Sequence, residues 1–170
     1  MHHRTAPASR LGRGAALALL CAALAACSDA DAPPAFDVTS SSVADVRAAL
    51  AEGRVTCREI ARHVAARIAE VDDGGPALNA VIEVNPDLDR DSAELDRAFA
   101  AGGPVGPLHC VPLAVKDNYD TGDRMRTSAG SLTMGDSVTP DDAFQIAKLR
   151  AAGALLVAKV NMDEFAFGVA

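Results

Sequence analysis

Residues 106–118, with the sequence GPLHCVPLAVKDN, decide the fold and supply the first candidate for a site. The apolar run 111–115 lies between turn-forming residues and is too short for a helix, so it predicts a buried strand. Lys116 follows at the carboxyl end of that strand, where ligands and catalytic groups gather in open α/β sheets. A lysine that loses its hydration in a closed pocket can act as a base, whereas a solvated one only ends the strand. Position alone leaves both interpretations of Lys116 open.

Helical patterns surround this strand on both sides. Before it, residues 43–50 predict a short helix, the capping box of Thr56 and Glu59 begins a second, and Asn85-Pro86 opens a third, with a strand over 77–84. After it, Thr139 and Pro140 predict the start of a helix with an inward face. That face is formed by Ala143, Phe144, Ala147 and Ala151. Residues 154–157 then predict a second apolar strand, which Lys159 closes as a structural residue. Strand, helix and strand in this order predict a parallel sheet covered by helices.

The first 26 residues predict a secretory signal peptide. They carry three arginines and no acid, and an apolar run of 12 residues from 15 to 26 is too short to span a bilayer. Residues 24–27, LAAC, resemble the lipobox of bacterial lipoproteins, which implies lipidation of Cys27 and an extracytoplasmic, membrane-anchored protein. An ordinary secretory cleavage beside an incidental cysteine is the alternative. Residues 27–42 predict a flexible tether, and 43–170 the folded domain.

The charge balance argues against a nucleic-acid partner. Three of the 16 basic residues lie in 1–26, so 13 basic and 23 acidic residues remain, with a net charge of −10. A polyanion would be repelled, and no basic stripe is present. Cys57 and Cys110 remain after the signal peptide and Cys27 are set aside, and they are able to pair in an oxidising compartment. No metal-ligand spacing is present, and neither a metal nor another cofactor is predicted.

Two polar segments accompany the strands. The first is RTSAGS at 126–131, where small hydroxyl and glycine residues let backbone approach a ligand. The second is NMDEFAFG at 161–168, a short helical pattern directly after the second strand. Ser128, Gly130, Ser131 and Asn161 are therefore candidates for substrate binding, although turn residues bonded within the chain give the same pattern.

Taken together and in this order, GPLHCVPLAVKDN, RTSAGS, KLRAAGALLVAK and NMDEFAFG resemble the amino-terminal half of the amidase signature family. The resemblance implies an α/β fold with a mixed sheet covered by helices and a helical lead-in. It also implies a Ser, cis-Ser, Lys triad that hydrolyses or transfers carboxamides, with Lys116 as the base and no cofactor. Asp117 would support the strand end. Cys110 stands where the family commonly has glycine, and it could be inert packing, a disulfide partner or a pocket wall.

The two serines of the triad follow the lysine by several tens of residues in that family, and no serine follows Ser137 in this chain. We therefore expect residues 1–170 to be an inactive fragment of a longer amidase acting on a small carboxamide or peptide amide. The predicted signal peptide disfavours the family's tRNA-dependent role, which needs cytoplasmic partners. The alternative is a non-catalytic lipoprotein that uses an amidase-like fold for binding or scaffolding.

Overall fold

The computed structural model describes residues 36–168. Four helices and three strands form this part of the chain. In chain order they are α1 (Val43–Ala51), α2 (Cys57–Ile68), β1 (Val81–Val84), α3 (Leu88–Gly102), β2 (Pro112–Lys116), α4 (Phe144–Ala151) and β3 (Leu155–Val160).

The sheet has the order β1, β3, β2, so the last strand lies in the middle. β2 and β3 pair in parallel, with Pro112 opposite Leu155 and Lys116 opposite Val160, whereas β1 pairs with β3 antiparallel. The predicted α/β fold with a mixed sheet and helices is therefore confirmed. β3 is buried from Leu155 to Lys159, as expected for a central strand covered on both faces.

The two faces of the sheet carry separate apolar clusters. One cluster joins α2 and α3 to the sheet and contains Ala61, Leu88, Leu155, Val157 and Ala158. The other joins α4 and the loop after β2 to the sheet and contains Val115, Met125, Ile146 and Leu156. Each fully buried aliphatic side chain stabilises the fold by roughly 1.5–3 kcal/mol, so the sheet is a rigid base for whatever lies at its strand ends.

The predicted helix starts agree with the structure in the first half of the chain. Ser42 and Asp45 form a capping box at α1, and Thr56 and Glu59 form the predicted one at α2. The predicted tether 27–42 ends too late, because Phe36 and Val38 pack against the apolar cluster of α1 and α2. Residues 36–42 therefore belong to the folded part. The predicted signal peptide, Cys27 and residues 27–35 lie outside the described residues.

The predicted start of α4 is wrong. The helix begins at Phe144, with Ala143 as the residue before it, and not at Thr139-Pro140. The polar groups before it bond to other parts of the chain instead: the Thr139 hydroxyl donates to the Thr121 carbonyl, and Asp142 accepts from the Gly122 amide at 2.8 Å. The inward face differs as well, since Ile146 is buried while Phe144 is 75 % exposed.

Two strand boundaries also differ from prediction. β1 begins only at Val81, because Ala77 and Asn79 adopt positive φ angles that are incompatible with a strand. β3 continues to Val160, so Lys159 lies within the strand and does not close it.

Cys57 and Cys110 form a disulfide bond. Their Cα atoms are 5.3 Å apart, and both residues are fully buried. The bond joins the first residue of α2 to the turn that precedes β2, so the strand bearing Lys116 is covalently linked to the helical layer. His109, next in the chain, stacks on Phe99 with ring centroids 5.4 Å apart, and burial lowers the pKa of this histidine.

Candidate active site

Lys116 is the last residue of β2, and its side chain is exposed at the carboxyl edge of the sheet. Its Nζ atom donates a hydrogen bond of 2.5 Å to the carbonyl oxygen of Asn161, the first residue after β3. The two residues are 45 positions apart, and they meet because β2 and β3 are parallel neighbours that end at the same edge. The amine is thus held by a backbone acceptor in a defined place.

A polar cleft opens beside this contact. It has a volume of about 610 Å³. It is lined by Lys116, Asn118, Asn161, Met162, Asp163, Ala166 and Gly168. The cleft lies at the carboxyl ends of two parallel strands, which is where α/β folds bind ligands.

Asp117 points away from the face that carries Lys116, because consecutive strand residues alternate. Its carboxylate is almost fully buried and accepts the backbone N–H groups of Ser128 at 3.1 Å and Gly130 at 3.2 Å, as well as the Ser128 hydroxyl. Hydrogen bonds to a carboxylate are among the stronger ones in proteins. Asp117 therefore ties the RTSAGS loop to the end of β2.

Gly130 is required by a close approach within this loop. Its φ angle is +70°, and a Cβ atom there would lie 2.8 Å from the Met162 carbonyl oxygen. The Ser131 hydroxyl donates to Glu164 Oε1 at 2.6 Å, and the Phe165 amide donates to the Ala129 carbonyl at 2.8 Å. The loop and the segment after β3 are thereby packed into one unit at the edge of the cleft.

The structure brings all five predicted site residues of the folded part to the same strand ends. Lys116 and Asn161 line the cleft, and the Asn161 side chain also donates to the Asn79 carbonyl. The polar groups of Ser128, Gly130 and Ser131 bond to carboxylates within the chain. Their binding of substrate stays a prediction. The contact of Lys116 with the Asn161 backbone was not predicted; the shared position of both residues after neighbouring strands is the signal that could have indicated it.

Cys57, His109 and Cys110 form the one group of three potential metal ligands close together in the described part of the chain, with ligand atoms within 4.8 Å. Their chemistry does not suit a metal ion. Both sulfur atoms are in the disulfide, and His109 Nδ1 accepts the Val105 N–H at 3.3 Å, which leaves the ring hydrogen on Nε2. A thiolate ligand would require reduction of the bond.

None of the helices in residues 36–168 has the length and apolar character needed to cross a membrane.

Comparison with known proteins gives consistent matches. The family model described as Amidase matches residues 59–170. The A chain of the glutamyl-tRNA(Gln) amidotransferase of Prochlorococcus marinus is 41% identical over 128 residues, which are 75% of this chain and 26% of that protein. The chain therefore spans about a quarter of the length of the curated relatives it matches.

Two solved structures resemble the fold over a similar range. The peptide amidase from Stenotrophomonas maltophilia superposes with a TM-score of 0.72 and 41% identity, covering 76% of this chain and 26% of that one. An amidase family protein from Bacillus anthracis superposes with a TM-score of 0.70 and 31% identity, covering 75% of this chain and 25% of that one.

Proposed function

The chain belongs to the amidase family, and on that basis we propose that the full-length protein hydrolyses the carbon–nitrogen bond of a small carboxamide or peptide amide. The observation that carries this proposal is the position of Lys116. Its amine lies at the end of a rigid strand, faces a polar cleft and is oriented by the Asn161 carbonyl. A catalytic base needs such an orienting partner in addition to reach of its proton donor.

The chemistry of amide hydrolysis assigns a task to this amine. An amide carbonyl is a poor electrophile, so a serine oxygen must lose its proton as it attacks, and the leaving amine must receive one. In the proposed Ser/cis-Ser/Lys mechanism, Lys116 takes the proton through the bridging serine and returns it to the leaving nitrogen. Water then releases the acyl group from the nucleophile. Ser-Lys arrangements are an established variant of the serine triad.

Hydrolysis is favoured over a tRNA-dependent transfer by two features of this chain. The predicted signal peptide implies a compartment without charged tRNA, and the net charge of −10 after its removal disfavours polyanion binding. The chain is 41% identical to a peptide amidase over about the same region as it is to the amidotransferase. The non-catalytic scaffold is not favoured, because the matched relatives are amidases and a component of an amidotransferase.

Release of ammonia from a panel of unsubstituted carboxamides and carboxy-terminal peptide amides tests the proposed activity. We expect the purified full-length protein to release ammonia from at least one member of the panel, whereas residues 1–170 alone release none. A full-length protein that is folded and inactive towards the whole panel would support the scaffold and contradict the proposal.

The proposed location is the outer side of a bacterial membrane, with the protein anchored by lipid on Cys27. Each buried methylene adds about 0.8 kcal/mol to membrane affinity, so two or three acyl chains on one residue hold a protein stably. We expect Cys27→Ser to move the full-length protein from the membrane fraction to the soluble fraction, while Cys21→Ser leaves it membrane-bound. Equal membrane association of the Cys27→Ser protein and the wild type would contradict the anchor.

A further inference from the structure

Lys159 is a buried cation for which the proposed reaction has no use. It lies in the central strand β3 with no exposed surface. Its Nζ atom donates to the Tyr119 carbonyl oxygen at 2.7 Å and to the Thr127 hydroxyl at 2.8 Å. Burial lowers the pKa of Lys159, and the nearby carboxylate of Asp117 acts in the opposite direction. A buried lysine is costly unless its donors and its charge are used, so these contacts need an explanation.

The register of the sheet separates this lysine from the candidate base. Lys159 is opposite Val115 in β2, whereas Lys116 is opposite Val160. Because neighbouring residues of paired strands share a face and successive ones alternate, Lys159 lies on the face of Val115 and Asp117. Lys116 lies on the other. Lys159 therefore acts on the chain beneath the cleft and does not contact a substrate in it.

Both contacts of Lys159 are made with residues 119–131, which we call the loop segment. Asp117 holds the carboxyl end of this segment through Ser128 and Gly130. Lys159 holds its beginning through Tyr119 and its middle through Thr127. A buried carboxylate and a buried ammonium at adjacent strand ends thus hold the segment at successive points, and each charge lies near the other.

Surface ion pairs also contact the loop segment. Arg124 Nε donates to Asp87 at 2.9 Å, and Arg126 Nε donates to Glu83 at 3.3 Å. Both arginines are exposed, and exposed ion pairs contribute little to stability. The buried ammonium, in contrast, leaves a carbonyl and a hydroxyl without their donor when it is removed.

We infer that Lys159 is a positioning residue: its ammonium, together with Asp117, fixes the loop segment beneath the strand ends and so keeps the cleft around Lys116 in shape. The carboxyl end of the segment packs against residues 162–165, which directly follow the Asn161 carbonyl that orients Lys116. The effect on catalysis rests on the proposed function, whereas the fixing of the segment does not.

Trypsin reports on the segment directly, because Arg124 and Arg126 are its only basic residues. In the full-length protein under native conditions, Lys159→Met keeps the side-chain volume and removes the ammonium. We expect cleavage after these two arginines to accelerate about tenfold or more, since two buried polar groups lose their donor. The fragments are quantified by mass spectrometry. Lys148→Met, which removes an exposed lysine of α4, is the matched control and leaves the rates at both sites unchanged.

A second variant keeps the inference testable if the first does not fold. Thr127→Val has nearly the same shape and removes one of the two acceptors, so it gives a smaller acceleration at the same two sites. Cleavage at wild-type rate in both variants, or acceleration spread equally over all sites of the protein, overturns the inference.

The kinetic consequence is tested separately on the same proteins. Loss of the fixed cleft lowers kcat/KM for amide hydrolysis by about tenfold or more in Lys159→Met, with a smaller loss in Thr127→Val. Combining Lys159→Met with Asp117→Asn lowers it less than the product of the single losses, because both residues hold one segment. Accelerated cleavage with unchanged kcat/KM overturns the catalytic half. An inactive wild type contradicts the proposed function, and the trypsin result still decides the fixing of the segment.

Discussion

Replacement of Lys116 by alanine is expected to lower kcat for amide hydrolysis by the full-length protein about 10³-fold or more, because general acid–base catalysis contributes up to about 10⁴-fold and the serine would lack its base. KM should change much less, since the amine moves a proton and does not recognise the substrate. Initial rates of ammonia release at saturating amide measure the effect.

The fold should survive this change. The Lys116 side chain is exposed and makes one hydrogen bond, to Asn161, so its removal leaves no buried group without a partner. The thermal midpoint of Lys116→Ala should therefore match that of Lys148→Ala, a control lysine outside the cleft. Turnover within a few-fold of the wild type would contradict the assignment of Lys116 as the base.

The strands next to the cleft could be predicted because their signals are local. The run at 111–115 is apolar, short and bounded by turn residues, and it corresponds to β2 with a shift of one residue. The helical pattern between it and 154–157 predicted the parallel pairing. Nothing local indicated that β1 would join antiparallel on the far side of β3. That placement depends on packing between residues far apart in the sequence.

The start of α4 shows how tertiary contacts override a local signal. Thr139-Pro140 has the residues that usually begin a helix. In the folded chain the Thr139 hydroxyl and the Asp142 carboxylate bond to the loop after β2, and the helix begins only at Phe144. The alanine-rich pattern also left the inward face ambiguous, and the residue predicted inward, Phe144, is exposed.

The site could be predicted in outline but not in its connections. Lys116 and Asn161 each follow an apolar strand, so their meeting at one edge is a consequence of parallel pairing. The sequence also marks Lys159 as a lysine after an apolar run, but it does not reveal that β3 extends past this residue and buries it. Two lysines with the same local context thus differ, one at an exposed edge and the other in the closed interior, because of register alone.

Removal of the disulfide is expected to destabilise the full-length protein by about 4 kcal/mol at most, the loop-entropy value for residues separated by 53 positions. Cys57 and Cys110 are both buried, and their bond fixes the turn before β2 to the start of α2. In Cys57→Ala/Cys110→Ala this constraint on the unfolded chain is lost. The transition in guanidinium chloride should therefore move to lower denaturant concentration, with activity at low denaturant retained because Lys116 is untouched.

Reduction provides the matched comparison. Wild-type protein unfolded and refolded in dithiothreitol should have the same low midpoint as the double alanine variant, and dithiothreitol should leave the midpoint of that variant unchanged. Single Cys57→Ala and Cys110→Ala proteins should resemble the double variant, since either change breaks the same bond. If the oxidised wild type, the reduced wild type and the double variant unfold at one midpoint, the two cysteines are not paired in the protein and act only as small buried side chains.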